Sequence, residues 1–294
     1  MNDTIKEYVT ITISVCISAL VALACAQGSL IAGNYPVLFV CLFIAFIIQW
    51  IVFLPSFYFS TERFYDLTGS ITYLTVILTA LYHKNEFIGS RPDLRSLLIS
   101  AFVVIWALRL GSFLFLRVLK DKEDRRFSIW KKNFHQFLRV WTLQGLWVFL
   151  TSVAAVTAIT SRKIIEPDSF LYIGSFFWVF GFLLESIADY QKRKFRSKYP
   201  GEFINTGLWS LSRHPNYFGE IVLWFGIALI AFPTMSGSQY ISLISPIFVF
   251  LLLTKVSGVH LLEKHADETW GKKKDYKKYK EKTPVLFPKI FKKL

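Results

Sequence analysis

Three stretches of the chain, residues 8–26, 35–59 and 140–161, run without a single charged side chain. Each is long enough to cross about 30 Å of hydrocarbon as an α-helix. Four more stretches, 96–116, 169–188, 217–232 and 240–262, are interrupted by one charge apiece, namely Arg109, Glu185, Glu220 and Lys255. Residues 67–83 add a shorter apolar run, and the pattern predicts an all-α, polytopic transmembrane bundle of seven or eight helices. Length alone permits two domains. No repeat and no Pro/Gly/Ser-rich linker divides the sequence, so residues 1–294 read as one bundle.

The basic residues fix an orientation. Lys120, Lys122, Arg125, Arg126, Lys131 and Lys132, then Lys192 to Lys198, Arg213 and eleven lysines from Lys264 onward fall on one side of the predicted spans. Lys84, Arg91, Arg95, Arg162 and Lys163 fall on the other. The positive-inside rule then places both termini in the cytoplasm of a multi-pass protein, with a bacterial inner membrane and the endoplasmic reticulum fitting alike. The net charge of +14 is accounted for by this bias and by attraction to membrane lipids, without a nucleic-acid partner. An "ALACAQ" stretch at 22–27 imitates a signal-peptidase site, but the leader "MNDTIKE" carries two acids and one lysine, so a retained first helix is expected.

Cys16, Cys25 and Cys41 all lie in the first two apolar runs and read as small buried hydrophobes. The five histidines form no H-E-x-x-H, and a metal site is not expected. Among fifteen glycines there is no G-x-G and no phosphate loop, so a bound nucleotide has to be held by charges at helix ends.

Ionisable groups inside spanning helices cost about 2.5–3.5 kcal/mol each and therefore mark function or structural pairing. Glu185, Asp189, Lys192 and Arg196 form one stripe at i, i+4, i+7 and i+11, which reads either as an ion-pair ladder or as one wall of a site. In "LSRHPNYFGEIVLW" (211–224), Pro215 suits the first turn of a helix, and Tyr217, Glu220, Ile221 and Trp224 then share a face. Glu220 needs a partner there, with Arg213 and Lys255 as the options. Upstream, "TERFYDLTGS" (61–70) suggests Asp66 as a helix N-cap, or Tyr65 and Asp66 as groups at a cavity mouth.

These residues carry a resemblance. The segments "ADYQKRKFRSKYPGEFINTGLWSLSRHPNYFGEIVLWFGIAL" (188–229) and "YKKYKEKTPVLFP" (276–288) resemble the membrane-embedded steroid 5-alpha-reductase family, in its branch with a steroid-reductase-like C-terminal portion, here 189–294. The resemblance implies a seven-helix NADPH-dependent oxidoreductase that reduces a C=C bond conjugated to a carbonyl in a lipophilic substrate. It assigns Asp189, Arg196, Asn216, Glu220 and Trp224 to the cofactor, with Tyr276 or Tyr279 closing over it. Where that family carries Q-E-L at its catalytic helix start this sequence has Tyr65-Asp66-Leu67, and Trp106 stands three residues before Arg109 in place of a tyrosine. Tyr65, Asp66 and Arg109 are accordingly the catalytic candidates, with Tyr73 as a further proton source.

A second resemblance stays open. "RHPNYFG" and the late glutamate before Y-x-x-Y are similar to the isoprenylcysteine carboxyl methyltransferase group. It implies S-adenosylmethionine as ligand, recognised by Arg213, His214, Tyr217 and Glu263, although Lys264 stands where a second glutamate is expected. A noncatalytic lipid-binding protein is the third reading. Oligomeric state is not legible.

Overall fold

The computed structural model describes residues 3–89, 93–121 and 127–289. Its helices are α1 (Asp3–Cys25), α2 (Val37–Tyr58), α3 (Tyr65–Ile88), α4 (Leu94–Asp121), α5 (Phe134–Ile159), α6 (Ser169–Lys198), α7 (Pro215–Ala231), α8 (Ile244–Leu251), α9 (Val259–Trp270) and α10 (Lys274–Lys282). Among the described residues seven segments are long and apolar enough to cross a membrane: α1, α2, α4, α5, α6, α7 with the turn after it, and Gly237–Trp270. The protein is an all-α, multi-pass membrane bundle. The remaining predicted span, α3, is a 24-residue helix that falls outside this set. One antiparallel two-stranded ladder pairs Ile31 with Pro36 and Ala32 with Tyr35 around Gly33, which takes a φ of +59°.

The eighth predicted run departs from a single helix. It forms a 3-10 segment, Gly237–Leu243, then α8, then a π turn, Leu252–Val256, and breaks at Gly258 before α9. A Cβ on Gly258 would lie 2.8 Å from Cε2 of Tyr217, so the break lets that ring approach the backbone.

The chain divides into two compact units, Met1–Leu171 with Ala228–Ser245, and Tyr172–Ile227 with Pro246–Leu294. In the first, α5 is the central helix, and every residue from Val148 to Ile159 is buried. Its run "TSVAAVTAI" explains the position, because small side chains let neighbouring helices approach where no water drives association. Side-chain amides and hydroxyls join its helices: Gln49 Nε2 donates to Thr72 Oγ1 at 2.7 Å, Trp50 Nε1 to Thr142 Oγ1 at 3.0 Å, and Gln144 Nε2 to the Tyr65 carbonyl at 3.0 Å.

Two buried cations tie the loops of this unit. Lys84 Nζ donates to the carbonyls of Ser161 at 2.6 Å and Lys163 at 3.2 Å and faces Asp93 at 3.5 Å. Arg95 bonds the Ile230 carbonyl at 2.6 Å and pairs with Asp168 at 3.0 Å.

In the second unit α6 and α7 cross glycine on glycine. A Cβ on Gly219 would lie 2.6 Å from the Gly181 carbonyl, and one on Gly226 would lie 2.6 Å from that of Gly174. The backbones are in contact, and only glycine permits this spacing.

Candidate functional site

The site in the second unit starts from how the chain enters α7. Residues 207–210 make a 3-10 turn tied to α6 by Trp209, whose Nε1 donates to the Ala188 carbonyl at 3.0 Å, and by the Leu208 amide, which donates to Gln191 Oε1 at 2.9 Å. Pro215 occupies the first helical position, as its missing N–H and fixed φ favour. The segment after α10 folds back onto this entrance. The Arg213 amide donates to the Pro284 carbonyl at 2.9 Å, the Lys289 amide to the Leu211 carbonyl at 2.9 Å, and Ser212 Oγ to the Leu286 carbonyl at 2.7 Å.

Glu263, from α9, is the hub. Its carboxylate meets His214 Nε2 at 2.8 Å, Arg213 Nη2 at 3.1 Å and Lys280 Nζ at 3.8 Å. Lys280 also bonds Asp267 at 2.6 and 2.9 Å, and Tyr276 donates its hydroxyl to Asp267 at 3.2 Å. The His214 and Tyr217 rings stack at 5.8 Å and 12°. Burial pushes the His214 pKa below its usual 6.5, only partly opposed by the Glu263 carboxylate. Near neutrality the imidazole is therefore uncharged, and because an ionised carboxylate only accepts, its proton sits on Nε2. The other nitrogen, Nδ1, is buried without a hydrogen-bond partner, as are Nε and Nη1 of Arg213. Burial and the neighbouring acids push the Tyr276 hydroxyl above its ordinary range, and burial does the same to Tyr279, which donates to the Trp209 carbonyl at 2.6 Å.

A second constellation lines the α6–α7 seam. Asn216 Nδ2 donates to Asp189 Oδ1 at 3.2 Å, and Glu185, Glu220 and Trp224 are buried. Lys192 lies over the Trp209 ring at 4.5 Å, and Arg196 is exposed in the last turn of α6. The stripe thus grades from buried acids to exposed cations along one helix. Two sequence expectations are corrected here. Arg213 pairs with Glu263 rather than with Glu220, and Lys255 stands exposed on the π turn, which rotates it away from the register of an uninterrupted helix.

The catalytic candidates Tyr65, Asp66 and Arg109 belong to the first unit. Tyr65 packs against Phe127 and Trp141 at 4.7 and 5.1 Å and donates its hydroxyl to the Val140 carbonyl at 3.1 Å. Asp66 is not the N-cap of α3: Phe64 holds that position, and Asp66 lies in the first turn with Arg117 at 3.7 Å. A carboxylate there still favours the positive end of the helix dipole. Arg109 is half-buried, and Trp106, which stands where the resemblance expects a tyrosine, meets Tyr73 edge-on at 5.1 Å.

Several ion pairs between a buried acid and a half-buried cation escaped the sequence reading, among them Glu62–Lys131 at 3.0 Å and Glu7–Arg139 at 2.9 Å. Each joins residues far apart in sequence, so no local spacing signals it. Among the described residues no three His, Cys, Asp or Glu side chains gather as a metal site would require. No curated protein matches the chain. Residues 50–283 match a family described as "Protein of unknown function (DUF1295)". With most of the chain inside that match, the protein belongs to this family.

Proposed function

We propose that this protein is an NADPH-dependent reductase that saturates a C=C bond conjugated to a carbonyl in a lipophilic, steroid- or lipid-like substrate. The observation that carries the reading is the Asp189–Asn216 hydrogen bond of 3.2 Å, made among the buried Glu185, Glu220 and Trp224. Four of the five residues that the steroid-reductase resemblance assigns to cofactor thereby fall on one helix seam. The fifth, Arg196, is at the basic end of α6. This donor set suits a phosphate-bearing dinucleotide. Carboxylates and an amide accept and donate to ribose and carboxamide groups, while Lys192, Arg193, Lys194 and Arg196 supply cations for phosphates. NADPH, when bound, supplies the hydride. The chain's own part is to exclude water and to present donors where negative charge develops on the substrate oxygen. Of the residues that the resemblance offers for that role, Arg109 is a donor at any pH, whereas Tyr65 already donates to the Val140 carbonyl and Asp66 lies beside Arg117.

One observation favours the methyltransferase reading: Glu263 pairs with both Arg213 and His214, and His214 stacks on Tyr217, so the four residues form one connected cluster. Against it, Glu263 already faces Arg213 and Lys280, which leaves little negative potential for a sulfonium cation.

Thermal stability in detergent with NADPH, NADH or S-adenosylmethionine tests the assignment. A ligand at 100 times its Kd stabilises the native state by about 2.7 kcal/mol. A rise in Tm with NADPH that exceeds the rise with NADH is expected, and Arg196→Ala should weaken the NADPH response about tenfold or more through loss of a charge-assisted phosphate contact. A rise with S-adenosylmethionine alone transfers the protein to the second reading. No rise with any of the three leaves lipid binding without catalysis.

A further inference from the structure

The back-folded segment after α10 encloses an open depression of about 520 Å³ against Arg213. Its lining mixes cations, Arg213, Lys280, Lys282 and Lys289, with the apolar Val285 and Phe287, and contains one acid, Glu281. Arg213 and Lys280 are compensated by Glu263 and Asp267, whereas Lys282 and Lys289 have no carboxylate partner among the described residues. Phe287 is 66% exposed and Val285 38%, an arrangement that water alone does not favour. The shape is fixed by backbone hydrogen bonds from Arg213 to Pro284 and from Lys289 to Leu211, and by an edge contact of Phe218 with Phe287 at 5.8 Å.

The geometry points to a docking site for one anionic phospholipid, with its phosphate between Lys282 and Lys289 before the half-buried Arg213 and its acyl chains against Val285 and Phe287. Three observations select a lipid over a dissolved anion. The depression borders Arg213, two residues before Pro215, where a membrane-crossing helix begins, so it lies about one helical turn or less from the membrane end of α7. Its exposed aromatic and aliphatic wall offers a dissolved phosphate nothing. Its side of the membrane carries the surplus of basic residues, where anionic lipid is attracted. The site is independent of the chemistry assigned to the α6–α7 seam, and it does not require a nucleotide.

Native mass spectrometry of the full-length protein, exchanged into phosphatidylglycerol or phosphatidylcholine micelles, reads the bound lipid directly, with Tm as a second measure. Preferential retention of one phosphatidylglycerol is expected, and Lys282→Gln with Lys289→Gln should lower its affinity about thirtyfold. Phe287→Ser should weaken lipid retention while leaving any response to inorganic phosphate unchanged. Equal retention of the two lipids, or retention unaffected by the double substitution, overturns the proposal. So does stabilisation by inorganic phosphate as large as that by the lipid, which would make the depression a site for soluble anions. Because all three positions are exposed or half-buried, their substitution leaves the fold intact, and an unchanged Tm in phosphatidylcholine verifies this.

Discussion

His214 shows how one side chain takes its properties from burial more than from its partner. Its carboxylate neighbour alone would favour the imidazolium, but burial is the larger cause and the pKa falls. A folded-state pKa below the unfolded value means that the unfolded chain binds a proton first as pH falls. The resulting stability is complete above about pH 6.5 and is lost progressively below it, through the depressed folded pKa. Tm measured from pH 7.5 to 5 should therefore fall more in the wild type than in His214→Gln; parallel curves would mean that the imidazole does not titrate differently on folding. Lys84 obeys the opposite arithmetic, since removing one member of a buried pair strands the other. Lys84→Met should destabilise by about 3–5 kcal/mol, and adding Asp93→Asn should recover part of that in chemical denaturation. A double variant no better than the single would assign the whole loss to the Ser161 and Lys163 carbonyls.

At the scale of elements, the apolar runs were legible because a hydrocarbon solvent demands about twenty consecutive apolar residues per span. Residues 8–26, 35–59 and 140–161 lie almost entirely within α1, α2 and α5. The interruption at 252–258 was only partly legible, because Ser257-Gly258 is a turn signal but nothing in "LLLTKVSGV" marks the π turn or the approach of Tyr217 to Gly258. The α6–α7 crossing was half legible. Gly174, Gly181, Gly219 and Gly226 are visible in sequence, but their opposition follows only from the folded pair. Gly219→Leu should destabilise by at least about 1–3 kcal/mol through overpacking against Gly181 and Glu185, whereas Phe225→Leu on an exposed face should change Tm little. The candidate site divides in the same way. The α6 stripe and the α7 entrance were marked by polar residues in apolar surroundings, and the methyltransferase resemblance had grouped Glu263 with Arg213 and His214, but its ion pairs with them and with Lys280 follow only from the fold.

For the whole molecule, α3 decides the topology. Seven spans put the two ends of the chain on opposite sides of the membrane, and eight put them on the same side. Apart from Asp66 and the polar residues of its last two turns, much of the polarity of α3 comes from hydroxyls that bond its own backbone, Thr68 to Phe64, Ser70 to Asp66, Thr72 to Thr68 and Thr75 to Ile71. Such groups are satisfied inside the helix and add little cost in lipid. Its 24 residues span about 36 Å, so α3 is long enough to cross. In a Cys16→Ser background, where the two remaining cysteines are buried, impermeant thiol reagents should label Lys6→Cys and Lys278→Cys from one side and Arg162→Cys from the other. Labelling of Lys6→Cys with Arg162→Cys would leave α3 short of crossing.

The hydrogen bonds that draw residues 284–289 onto residues 211–213 also set an order of events during synthesis. Helices α1 to α7 can enter the membrane as they emerge, but the partners of Arg213 and His214 are made some fifty to seventy residues later. Until then Arg213 waits at a helix mouth with its carboxylate still unmade. The first seven helices are thus made first, and the polar cluster at the α7 entrance matures only as translation finishes, so a ribosome that stalls after α7 leaves Arg213 and His214 without Glu263 and without the returning segment.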